Sequence, residues 1–133
     1  MTSRIEKKWI TRSGHQAYVI YRSLGEFPEE LTRMLDGLDL ERYSKIEWFC
    51  GYVGVEKTSL LCGAGMEEIR SMGKYSITFS GEAPDAVDET QYYYFGFDTQ
   101  RPMGTMQPTA EDVVECCEEM SKQFRAFESL AAI

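Results

Sequence analysis

Near the start of the chain two β-prone runs, Trp9-Ile10-Thr11-Arg12 and Ala17-Tyr18-Val19-Ile20-Tyr21, flank the turn-prone Ser13-Gly14-His15. Aromatic and β-branched side chains suit a pleated, half-buried surface, so this pattern predicts a β-hairpin with His15 exposed in its turn. Apolar spacing then switches to a helical period. Leu31, Met34, Leu35 and Leu38 share a face, Pro28 suits a first turn and Gly37 a left-handed cap, which predicts a short helix over 28 to 36. Residues 38 to 43 read as a connection. The aromatic and β-branched run from Glu47 to Val55 predicts a strand, with a bulge at one of its glycines, Gly51 or Gly54. Met66, Ile69 and Met72, framed by Gly65 and Gly73, fit one or two helical turns.

Two further strands are expected at 75 to 79 and 92 to 97, each with a period of two. Tyr75, Ile77 and Phe79 would share one face of the first. In the second, Tyr92, Tyr94, Gly96 and Asp98 would share one face, and Tyr93, Phe95 and Phe97 the other. The small, acidic, proline-containing stretch 81 to 90 between them reads as a solvated loop, and 99 to 108, punctuated by Pro102, Gly104 and Pro108, as irregular chain. The clearest period comes last. Val113, Cys117, Met120, Phe124, Phe127 and Ala131 recur at alternating steps of four and three, and Thr109 with Asp112 forms a capping pair, so a long amphipathic helix is expected over 110 to 130. The order β-β-α-β-α-β-β-α with short links predicts an α+β fold. Its centre is an antiparallel or mixed sheet of about five strands, with the C-terminal helix packed on one face.

A length of 133 residues with 43% hydrophobic and 13% aromatic content suits one domain over 1–133 built on one core. No apolar run approaches the roughly 20 residues that span a bilayer. The charged start, Met1 to Lys8, is not followed by the apolar block of a secretory signal, so a cytoplasmic location is expected. Cys50, Cys62, Cys116 and Cys117 are accordingly expected as reduced, buried thiols.

Charge narrows the partners. With 22 acidic against 14 basic residues the net charge is −8, which repels phosphate backbones and favours basic surfaces. Direct nucleic-acid binding is therefore not expected, and neither is a membrane partner. Catalytic signatures are scarce: the single histidine, His15, offers little for a metal site or an activated nucleophile, and no glycine group matches a phosphate-binding fingerprint. The expectation is a protein that is not an enzyme and carries no cofactor or metal.

Three groups remain as candidate binding residues. Glu111, Glu115 and Glu119 recur at intervals of four on the last helix, accompanied by Asp112 and Glu118, and such a stripe can mimic the charge of a nucleic acid. Glu near a helix N-terminus is also favoured by the dipole, so a solvated helix face explains the same pattern. The loop residues Asp85, Asp88 and Glu89 form a second acidic group. The third is a tyrosine face, Tyr92 and Tyr94 with Asp98 and the nearby Arg101, which suits a protein partner or a stacked ligand unless it lies beneath the terminal helix.

The motifs Cys50-Gly51-Tyr52-Val53-Gly54-Val55, Ser76-Ile77-Thr78-Phe79-Ser80-Gly81, Tyr94-Phe95-Gly96-Phe97-Asp98 and Asp112-Val113-Val114-Glu115-Cys116-Cys117 resemble those of a group of small proteins from tailed bacteriophages and prophages. The resemblance covers roughly 48 to 127. Two histidine-containing elements of that group are replaced here by Thr99-Gln100-Arg101-Pro102 and Glu56-Lys57-Thr58-Ser59. The resemblance implies a phage accessory protein. Joined to the acidic charge, it leads to the expectation of an anti-CRISPR-like inhibitor that covers the basic, nucleic-acid-binding surface of a host defence protein. Two alternatives stay open: sequestration of a signalling nucleotide at the tyrosine face, with a homo-oligomer supplying a pocket between subunits, and a small hydrolase built on Asp98 with a second carboxylate.

Overall fold

The computed structural model describes residues 2–26, 45–65, 76–84, 86–87, 89–99 and 108–131. Five strands form one antiparallel sheet: β1 (Thr2–Ile10), β2 (Gln16–Glu26), β3 (Lys45–Glu56), β4 (Ile77–Gly81) and β5 (Tyr92–Asp98), in the spatial order β1-β2-β3-β5-β4. Among the described residues one helix, α1 (Ala110–Ala131), packs on the sheet, which makes the chain a single α+β domain. The expected helices at 28 to 36 and 66 to 72, the connection at 38 to 43 and most of 99 to 108 lie outside the described residues.

β1 and β2 form the expected hairpin, but β1 begins at Thr2, well before Trp9. Charged residues Arg4, Glu6, Lys7 and Lys8 sit comfortably in it because it is an edge strand, exposed along most of its length. Its register shifts between Ile5 and Lys7, a bulge of the kind that discourages further pairing at an edge. At the tip, Thr11 N–H donates to His15 O at 2.8 Å and Gly14 N–H to Thr11 O at 2.9 Å, with Gly14 at φ +93°, a backbone conformation open to glycine.

The β3 glycines do not mark a bulge. Register between β3 and β5 is unbroken from Cys50↔Asp98 to Glu56↔Tyr92, and glycines face aromatic rings across it: Gly51↔Phe97, Tyr52↔Gly96 and Gly54↔Tyr94. A Cβ at Gly51 would lie 2.4 Å from the Phe97 ring and 2.8 Å from Cys117 Sγ, so this glycine lets the helix approach the sheet.

Alternation in β5 follows the expected faces. Phe95 and Phe97 join Val19, Val53, Val55, Val113, Cys117, Met120 and Phe124 in the core beneath α1, whereas Tyr94 joins Tyr18, Ile20, Trp48, Cys50 and Tyr52 on the opposite face. In β4 the alternation breaks: the register shifts between Ile77 and Phe79, so Ile77 belongs to the helix-side core and Phe79 packs on the other face, where a regular period would have kept them together. Tyr75 lies outside the described residues. The stretch 81 to 90 is also more than a solvated loop, because Pro84 and Val87 are buried and Ala83 packs against the tyrosine-side cluster.

Candidate functional site

α1 starts where the capping pair puts it. Asp112 N–H donates to Thr109 Oγ1 at 3.1 Å and Thr109 N–H to Asp112 Oδ2 at 2.9 Å. The apolar stripe buries Val113, Cys117, Met120 and Phe124 as expected, with Cys116 beside them, so both neighbouring thiols are core groups. Burial pushes the Cys117 thiol far up, and it stays protonated. Phe127, expected on the same stripe, is 42% exposed and Leu130 69%, because the last turns of α1 run beyond the packed core.

A second stripe on α1 is polar and was not singled out by the apolar period. Glu118, Ser121, Arg125 and Glu128 step along the helix at intervals of three and four and seat it on the tip of the β1–β2 hairpin. Glu118 Oε1 accepts from Trp9 Nε1 at 2.9 Å and Glu118 Oε2 from Arg12 N–H at 3.0 Å. Arg125 Nε donates to Ser13 O at 2.9 Å. Glu118, expected with the outward acidic stripe, is therefore committed to holding the fold together. Burial alone would raise its carboxyl, but the bonds from Trp9 and Arg12 outweigh that and hold it below the usual range.

His15 is the main correction. It was expected in an exposed turn, yet it is 3% exposed, because α1 closes over the hairpin tip. Its Nδ1 lies 2.6 Å from Ser121 Oγ, its Nε2 2.7 Å from Glu128 Oε1, and Ser121 Oγ lies 2.5 Å from Thr11 Oγ1. The carboxylate decides every proton here. Glu128 is drawn below the usual range: burial opposes this, but hydrogen bonds from Ser59 and His15 and the charge of Arg125 prevail. An ionised carboxylate only accepts, so Nε2 carries the imidazole proton and Nδ1 accepts from Ser121. Ser121 in turn accepts from Thr11, whose oxygen accepts the His15 N–H at 2.9 Å. Burial pushes the His15 pKa down despite the pull of Glu128, so the imidazole is neutral at pH 7.

Hydroxyl, imidazole and carboxylate in series have the connectivity of a hydrolytic relay. Ser121, however, is fully buried and its oxygen is already shared with Thr11, so no substrate reaches it. The chain works as a structural latch. A cavity of about 230 Å³ opens beside it, between the hairpin turn, the segment after β3, the start of β5 and the last turns of α1.

The remaining candidates divide. Glu111, Glu115 and Glu119 are exposed along the outer side of α1; Arg12 approaches Glu115 at 3.8 Å, and Glu119 Oε1 accepts from Gln123 at 3.4 Å. Asp85, Asp88 and Arg101 lie outside the described residues. Glu89 is half-buried and paired to Lys8 Nζ at 2.6 Å, so it closes the loop onto β1. The tyrosine face does not lie beneath α1, but neither is it an open surface: Tyr94 is fully buried, only Tyr92 is partly exposed, and Asp98 is exposed opposite Cys50. Among the described residues, no group of three or more His, Cys, Asp or Glu is placed to hold a metal ion, and no helix is long and apolar enough to cross a membrane. Compared with known proteins, the chain matches no family model, no curated protein and no solved structure.

Proposed function

We propose that the protein is a non-catalytic binding protein that lays the outer side of α1 on a basic surface of a partner protein. In concrete form the partner is a bacterial defence protein whose Lys- and Arg-lined channel otherwise holds nucleic acid, and the chain acts as a phage-encoded, anti-CRISPR-like inhibitor. The carrying observation is the exposed line Glu111, Glu115 and Glu119 on a helix seated rigidly by its two other stripes. Successive carboxylates repeat about every 6 Å along the axis. Like charges at this spacing cost a few tenths of a kcal/mol per pair in the free helix, and an oppositely charged partner relieves that cost. The defence setting draws on the phage-like motifs alone. With Tyr94 buried, a nucleotide-sequestering tyrosine face has less support.

The test uses tagged wild type and the triple variant E111K/E115K/E119K as bait in a bacterial lysate, with mass spectrometry of what elutes and circular dichroism to establish equal folding. The expected outcome is a stoichiometric nucleic-acid-binding protein with wild type that is lost with the triple variant. Retention of the same partner by the folded triple variant overturns the reading.

A further inference from the structure

The cavity beside the His15 latch has a chemistry of its own. It is smaller than the roughly 300–1,000 Å³ of sites for drug-sized ligands. Two carboxylates face it, Glu56 from the end of β3 and Glu128 from α1, with the hydroxyl residues Thr58 and Ser59 and the ring of Tyr92 completing the wall. The resident cation is Arg125, and it does not fill the site. Its Nε is held by Ser13 O at 2.9 Å, while its Nη1 stays 3.5 Å from Glu128 Oε1, beyond the about 2.7–2.9 Å of a charge-assisted hydrogen bond. The Arg125 side chain is 47% exposed and the Glu128 side chain 14%, so the carboxylate is enclosed and the arginine is the movable partner.

From this geometry we propose that the cavity is a socket for one alkylammonium group, presented by a free amine or by a lysine side chain. An ammonium offers three donors; Glu128 Oε1 already accepts from His15 Nε2 at 2.7 Å, so the ammonium meets the carboxylate's remaining lone pairs together with Glu56 and neighbouring hydroxyls, and a short alkyl stem can lie along the Tyr92 ring. At about 30 Å³ per water in the liquid, the 230 Å³ corresponds to about seven or eight waters, which leaves room for a short alkylammonium. Glu56 and Glu128 outnumber Arg125, so a cation is favoured over an anion. The socket uses none of Glu111, Glu115 or Glu119, and it stands whether or not the outer side of α1 binds a partner.

His15 is the sole histidine and borders the cavity, so its imidazole proton resonances report binding without overlap. We would titrate n-butylammonium, Nα-acetyl-lysine amide and the neutral N-butylacetamide. The expected result is a saturable shift with an ammonium compound, with an affinity on the order of millimolar, and none with the neutral amide. A response to butylammonium alone identifies free amines as the source, and a response to the lysine amide identifies a lysine side chain. Glu128→Gln should weaken binding by about tenfold or more and the exposed Glu56→Gln by a smaller factor, with wild-type folding in the latter. Arg125→Gln should strengthen binding, whereas Lys122→Gln, the same change of charge outside the cavity, should not. No saturable shift with either ammonium, an equal response to the neutral amide, or binding unchanged in both glutamate variants overturns the proposal.

Discussion

Two sets of polar residues share α1 and are used in opposite ways. Glu118, Ser121, Arg125 and Glu128 meet the hairpin tip, and each has a named partner within the chain. Glu111, Glu115 and Glu119, which overlap the first set in sequence at Glu118 and Glu119, face solvent, with only the exposed Arg12 approaching Glu115 at 3.8 Å. A rotation of about 100° per residue separates the sets, so neighbours such as Glu118 and Glu119 have unrelated roles. Acidic charge on a helix is thus no measure of its availability to a partner. What decides availability is whether a donor from another element is held close against a partly buried carboxylate, as at Glu118, or only approaches it in solvent, as Arg12 does at Glu115.

The strongest way to break the contrast is to unseat the helix. Phe124 is fully buried against Phe95 and edge-on to His15, and Phe124→Ala should cost about 3–5 kcal/mol in chemical denaturation, releasing both stripes together. Ser121→Ala acts on the inner stripe alone. It leaves His15 Nδ1 and the Thr11 hydroxyl without their shared partner and should cost about 1–3 kcal/mol, whereas a surface serine would cost almost nothing.

Acid should separate the two sets without mutation. The His15 pKa is lower in the fold than its ordinary value near 6.5, so above that pH both folded and unfolded chains are neutral there and stability is at its full level. As pH falls below about 6.5 the unfolded chain takes up the proton first, and stability declines. Glu118 and Glu128, held below the usual carboxyl range, continue the decline as pH falls through about 4.5 and lower. Denaturation midpoints measured from pH 7.5 to 4 should show this onset in wild type, and His15→Gln should remove its upper part.

The smallest effects sharpen the comparison from the outer side. Replacing Glu111, Glu115 and Glu119 together by Gln should change stability by only a few tenths of a kcal/mol, in the stabilising direction, since like charges are removed at i, i+4. A loss above about 1 kcal/mol would place these carboxylates with the inner set. At Ala86, which holds φ +72°, Ala86→Gly should be neutral to slightly stabilising, because relief of the left-handed conformation offsets the flexibility that glycine adds to the unfolded chain.

Local patterns determined a good deal by themselves. Hairpin, alternation in β5, capped terminal helix and α+β class all follow from periodicity and turn chemistry, which act between residues close in sequence, whereas the choice of an antiparallel over a mixed sheet came from the pairing itself. The two-faced reading of β5 was legible because a strand of unbroken register has a period of two. In β4 the same rule failed, since a bulge is a property of pairing with β5 and leaves no mark in Ser76 to Phe79 alone. The polar stripe of α1 was visible as spacing, Glu118, Ser121, Arg125 and Glu128, but nothing local tells a stripe that meets a hairpin from one that meets water. For the same reason His15 read as a turn residue. Its burial, its tautomer and the cavity beside it depend on α1 arriving from more than a hundred positions away in the chain, with Ser121 and Glu128 as its hydrogen-bonding neighbours. Sequence thus determined which elements form and which faces are apolar, because those are set by short-range sterics and periodic burial. Tertiary structure alone decided which charges are spent inside the fold and which remain for a partner, because that depends on donors and acceptors brought together by packing.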